Sequence, residues 1–71
     1  MPEGRVARVT EISSTSPKSF EDAIRIGVER ASKTLRHVKS AWVKGQQVDV
    51  DANGKIVEYR VQLKVTFLID D

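Results

Sequence analysis

Asp49, Asp51 and Asn53 stand at alternate positions and are followed directly by Gly54. Alternate oxygen ligands with a glycine at the sharp turn are what a calcium loop opens with, so these three residues are the candidate metal ligands. The match ends there. The bidentate Glu that closes such a loop falls due at position 60, which is Arg60, and the flanking residues carry strand patterning rather than helical. A polar hairpin with an Asn-Gly turn accounts for the same run and is the preferred reading.

The second chemistry-bearing residue is Trp42. On a strand facing Arg60 and Gln62 it offers a flat stacking surface beside hydrogen-bond donors, the combination that holds planar heteroaromatic ligands. An aromatic anchor at a subunit interface is the alternative, and one residue can serve both purposes. Beyond these, nothing reads as a catalytic set. There is no Gly-rich phosphate loop and no nucleophile with an activating base in view. The lone histidine, His37, follows Arg36 at the end of a helix pattern and reads as a helix-end cation. We therefore expect a protein that is not an enzyme.

The elements that must position these residues follow from periodicity. From Ile56 to Asp70 the apolar residues Val57, Tyr59, Val61, Leu63, Val65, Phe67 and Ile69 alternate with Glu58, Arg60, Gln62, Lys64, Thr66, Leu68 and Asp70. Side chains on a strand point alternately to its two faces, so this is a strand with one buried face. Its length of roughly 46 Å exceeds a compact fold of this size, whose radius of gyration is about 11 Å. It must curl, project into a partner, or both.

A second strand runs from about Val38 to Val50, joined through Asn53-Gly54. Pairing about a two-residue loop sets Val50 opposite Val57 and Val48 opposite Tyr59, but then puts Gln46 and Lys44 on the buried face. A β-bulge at or near Gly45 resolves this, returning Val43 and Ala41 to the core and sending Trp42 and Ser40 to the face of Arg60, Gln62 and Lys64.

Upstream, residues 1–4 should fray, and Arg5–Ser13 reads as a short strand ended by the turn-like cluster Ser13-Ser14-Thr15-Ser16-Pro17. A helix follows. Ser19 is its N-cap, Asp22 takes the capping-box position, and Phe20, Ile24, Gly27, Val28, Ala31 and Leu35 form the apolar stripe. Glu21–Arg25 and Glu29–Lys33 have the spacing of supporting ion pairs. The fold class is α+β in the order β-α-β-β, a three-stranded antiparallel sheet with one helix, in one domain over residues 1–71.

Composition narrows the functional classes. The chain has 71 residues, no cysteine and one histidine, which excludes disulfides and thiolate metal sites. Twelve Lys and Arg against ten Asp and Glu are interspersed, so nucleic-acid binding through Arg25, Arg30, Lys33 and Arg36 is not expected. No apolar run reaches the ~20 residues of a membrane span, and no signal-peptide core opens the chain. A cytoplasmic setting is expected. The helix cannot cover so long a sheet, and Trp42 and Leu68 stay on the bare side, where apolar area marks an interface.

With this order, TSPKSFEDAI (residues 15–24) entering the helix, ERASKTLRHV (29–38) leaving it and EYRVQLKVTF (58–67) in the last strand, the chain resembles the dodecins over residues 5–69. The resemblance implies a sheet wrapped around one helix and twelve copies forming a hollow shell, which answers the overlong strand. It implies self-association and a small-molecule ligand: a flavin (riboflavin, FMN or FAD) held between subunits and stored, or, in some members, coenzyme A. In flavin-binding dodecins a Trp opens the second strand and stacks on the flavin ring. Ser40 has that position here, with Trp42 two residues on. The family's flavin-contacting Gln follows the last strand's aromatic, and Arg60 follows Tyr59 here. Trp42, Ser40, Arg60 and Gln62 are accordingly the candidate ligand lining. A Trp-lacking dodecin-like subgroup is associated with calcium, which fits the Asp49–Asn53 hairpin loosely.

Overall fold

The computed structural model describes residues 4–69. The expected fraying of residues 1–3 and the strand's last residue, Asp70, lie outside them. Strand β1 (Ala7–Ser16) leads into helix α1 (Phe20–Thr34), then β2 (Val38–Val50) and β3 (Ile56–Leu68). The sheet order is β1-β3-β2 with both pairings antiparallel. The most regularly alternating segment is thus the central strand, where both edges must find partners.

Helix α1 lies on the face of β3 that carries Val61, Leu63 and Val65, and with Ala23 and Ala31 these form the buried core. Ser19 caps the helix, its Oγ accepting from the Asp22 N–H at 2.9 Å. The reciprocal half of a capping box is not made. Asp22 instead accepts from the Ser16 hydroxyl at 2.6 Å and from Arg25 at 2.7 Å. Arg25 also reaches Glu29 at 3.1 Å, so it bridges Asp22 and Glu29 rather than pairing with Glu21.

The buried stripe of the helix is Ala23-Gly27-Ala31. Phe20, Ile24 and Val28 flank it half-buried. Small residues carry the contact because the helix lies close on the sheet. A Cβ on Gly27 would stand 3.0 Å from both Ser14 Cβ and Leu63 Cδ1. The same closeness explains why β1 is longer than its composition indicates. Ser14 and Ser16 are buried strand residues paired with Val61 and Tyr59, and the serine run continues the strand instead of ending it. Serine is what fits beneath the helix there.

The β2–β3 hairpin departs from the expected loop. Asp51 N–H donates to the Lys55 carbonyl at 2.9 Å, enclosing three residues, Ala52, Asn53 and Gly54, with Gly54 at φ 79°. Three-residue hairpin loops place a left-handed residue in this way. Val50 consequently faces Ile56, not Val57, and Val57 is skipped in the ladder before Asp49 meets Glu58. From there Val48 faces Tyr59 as expected.

The bulge is real. Gly45 pairs with Gln62 and Val43 with Leu63, so Lys44 is the extra residue and Val43 and Ala41 return to the helix side. A further irregularity skips Lys39. Helix α1, about 22 Å long, reaches along the sheet from Tyr59, where Phe20 meets it edge-on at 5.1 Å, to Leu35 beside Phe67. The hairpin continues past the helix start as an arm. The result measures 60 × 19 × 14 Å with a radius of gyration of 15.0 Å, well above the ~11 Å of a compact chain this long. Among the described residues, no helix is long and apolar enough to cross a membrane.

Candidate ligand face on the sheet

The bulge decides which residues share the sheet's outer face. On β2 it presents Ser40 and Trp42, on β3 Arg60, Gln62, Lys64 and Thr66, and on β1 Glu11, Ser13 and Thr15. Ser40 and Trp42 therefore do share the face of Arg60 and Gln62. The detailed pairing differs from the expected one: Trp42 faces Lys64, Ser40 faces Thr66, and Arg60 faces Gln47. Each bulge moves the partner by one position, so alternation gives the face but not the opposite number.

Trp42 is 65% exposed. Its ring has the Lys64 ammonium 5.3 Å from the centroid, a cation–π arrangement. Glu11 holds that ammonium in place. Its Oε2 lies 3.3 Å from Lys44 Nζ and 3.9 Å from Lys64 Nζ. One carboxylate thus serves two ammoniums, and the surroundings of the indole carry a net positive charge. Gln62 stands on the next pair along, its amide 3.5 Å from Gln47 Oε1.

Arg60 is not directed at Trp42. Its Nη2 donates to Asp49 Oδ2 at 2.7 Å, both side chains being one-third exposed. The donor that stands at the indole is Lys64, with Gln62 on the same face one pair along, and Lys64 is the one that the sequence reading left out of the candidate lining. Alternation had already placed it on this face, but the direct pairing became visible only once Lys44 was identified as the bulged residue.

The hairpin carboxylates are engaged within the chain. Asp49 holds Arg60. Asp51 Oδ1 accepts from the Asn53 N–H at 2.8 Å and the Lys55 N–H at 3.0 Å, the hydrogen bonds of an Asx turn. Asn53 is a turn residue. Among the described residues no three His, Cys, Asp or Glu side chains of one copy stand together. His37 adopts φ 58° just past the helix, and its carbonyl accepts from the Leu68 N–H at 3.1 Å, so it serves as a corner residue that locks the helix exit to β3.

Comparison with known proteins bears on the same segments. The dodecin family profile matches residues 6–70. Calcium dodecin of Mycobacterium tuberculosis is 40% identical over 62 residues, 87% of this chain and 86% of that protein. Its crystal structure, described as having a calcium-binding site, superposes with a TM-score of 0.80 over 92% of this chain and 91% of that one at 38% identity. The dodecin of Thermus thermophilus is 35% identical over 68 residues, 96% of this chain and 97% of that protein. The solved dodecin from Streptomyces davaonensis matches with a TM-score of 0.90 at 35% identity, covering 97% of this chain and all of that one (100%).

Proposed function

This chain belongs to the dodecin family, and from that premise we propose that it is a non-enzymatic protein that binds and stores a planar ligand of the flavin class between copies of itself in a hollow homododecamer. The observation that carries this reading is Trp42. A 65% exposed indole on a β-strand, with Gln62 and Lys64 beside it, is half of a stacking site. A second copy bringing the same face opposite completes a sandwich around a flat ring. Stacking and donor contacts suit an isoalloxazine, whose ring is apolar on its faces and polar on its edge.

Within this reading the site is displaced along β2. Ser40, at the position where the resemblance expects the stacking aromatic, and Trp42 lie two residues apart on one face, so the ring centre moves by about 6–7 Å. Lys64 and Gln62 then supply the polar contacts, while Arg60 stays with Asp49. Titration of riboflavin or FMN with the purified protein tests this. Stoichiometric quenching of flavin fluorescence that disappears in Trp42→Ala is the expected result. No quenching at micromolar protein refutes it.

A second reading is a dodecin shell that takes calcium in place of flavin, favoured by the 40% identity to calcium dodecin. Within one copy, Asp49 and Asp51 are both already engaged by the chain itself. Asp49 neutralises Arg60, and one Asp51 oxygen holds the turn. On this reading calcium draws its oxygens from more than one copy, and calcorimetric titration of the Trp42→Ala protein with calcium separates the two: retained cation binding with no flavin binding in the parent protein selects the shell.

A further inference from the structure

A groove of about 590 Å³ runs between β1 and the C-terminal half of α1. Ile12, Gly27 and Ala31 line it as apolar floor, and Ile26, Arg30 and Thr34 follow one another at four-residue steps along its helical rim. Among the described residues Arg30 is its one charged lining residue, and it makes no ion pair with any of them. At the opposite end of the molecule the hairpin arm projects beyond Phe20 and Tyr59. There Val50 is 56% and Ile56 51% exposed, facing one another across the ladder, and Val57 is exposed beside them. Asp51 and Glu58 flank this patch without an ion pair among the described residues.

We infer that the hairpin tip of one copy seats in the β1–α1 groove of the next, with Val50 and Ile56 on its apolar floor and Asp51 or Glu58 meeting Arg30. The tip cannot fill its own groove. It lies past the N-terminal end of the helix, whereas the groove follows residues 26–35, and a paired hairpin does not fold back on itself. A cation without an ion pair beside an apolar slot, and carboxylates without an ion pair beside an apolar tip, are complementary in both charge and hydropathy. The need for such a contact is evident from the core. Among the described residues only Ala23, Ala31, Val61, Leu63 and Val65 are buried hydrophobics, few for a chain of 71 residues. Each copy gives a tip and offers a groove, so the contact is head-to-tail and closes only around a rotation axis. This inference rests on the self-association proposed above.

The absence of cysteine from the chain makes the contact directly testable. Ile26→Cys and Val50→Cys are made singly and together, and the oxidised proteins are compared on non-reducing gels, with native size followed by light scattering. The double variant is expected to give a covalent ladder, and each single variant to remain a single-chain band. A double variant with native assembly size but no ladder overturns the tip-in-groove contact and leaves self-association standing. An unsubstituted protein that is monomeric at micromolar concentration overturns both. As a second line, Arg30→Glu is expected to weaken assembly and Asp51→Arg to restore it in the double variant. No restoration with Asp51→Arg or with Glu58→Arg counts against the pairing.

Discussion

Lys64 stands over Trp42, its ammonium 5.3 Å from the ring centroid, and the two are direct partners across the β2–β3 ladder. The register set by Val48 and Tyr59, carried on unbroken, would put Trp42 opposite Val65 on the helix side; taking up Lys44 as an extra residue brings it opposite Lys64 on the outer face instead. The pair is an exposed cation–π contact of about 0.5–1 kcal/mol. A double-mutant cycle of Trp42→Ala and Lys64→Met, read by urea unfolding at fixed protein concentration, should return a coupling of that size. Additive single effects would show that the ammonium over the ring contributes nothing to stability.

Gly27 is where α1 touches the sheet most closely. Alanine there improves helix propensity by about 1 kcal/mol, yet its Cβ arrives 3.0 Å from Ser14 Cβ and Leu63 Cδ1. Ser14 Cβ is fixed to a paired strand and cannot swing aside. Overpacking at about 1–3 kcal/mol outweighs the propensity gain, so Gly27→Ala should lower the melting temperature. A control substitution of Ser32→Ala, on an exposed helix position, should leave it nearly unchanged.

Asp22 ties the β1–α1 corner together. The Ser16 hydroxyl first, and then Arg25, hold its carboxyl below the usual carboxylate range. Its folded pKa is depressed, so its contribution to stability is fully present above the unfolded value of about 3.9 and is lost as pH falls through the folded value. Melting curves from pH 7 down to pH 2 should show a fall below pH 4 that is shallower in Asp22→Asn. Ser16 is fully buried and also accepts from the Lys18 N–H at 2.9 Å. Ser16→Ala removes the acceptor of the Lys18 N–H and one of the two side-chain donors to Asp22, and should cost about 1–3 kcal/mol at neutral pH.

The fold was legible where one periodicity dominated. Strict alternation identified β3 as the organising strand, and a conflict in register located the bulge within one residue of Lys44. The sequence was least informative where small residues carry the packing. Ser14 and Ser16 read as a turn because serine favours turns, yet they lie in a strand because the helix passes too close for anything larger. Ala23 escaped the apolar stripe for the same reason. The sheet's outer face, the candidate ligand face, was legible as a face through Ser40, Trp42 and Gln62. Its opposite numbers were not, because each skipped residue, Lys39, Lys44 and Val57, shifts the partner by one. Which carboxylates are engaged, Asp49 by Arg60 and Asp51 by its own turn, depends on side-chain geometry that spacing does not encode.

The two lysines numbered 44 and 64 make the register argument testable by deletion. Lys44 is the extra residue of an edge strand, with Gly45 paired to Gln62 and Val43 to Leu63 on either side of it. Removing it joins two segments already in matching register, so every other side chain keeps its face. What is lost is an exposed ion pair with Glu11 at 3.3 Å, worth about 0–1 kcal/mol, and the local bend that a bulge imposes. Lys64 occupies the central strand and is paired on both sides, to Glu11 and to Trp42. Removing it shifts the rest of β3 by one residue, which turns either Val61 and Leu63 or Val65 and Phe67 away from the helix. Deletion of Lys44 should therefore preserve the far-ultraviolet circular dichroism spectrum and a cooperative melt, with any change confined to assembly size through the straightened arm. Deletion of Lys64 should abolish the cooperative melt. If the Lys44 deletion also unfolds the chain, the bulge is a requirement of the fold itself and not an accommodation of register.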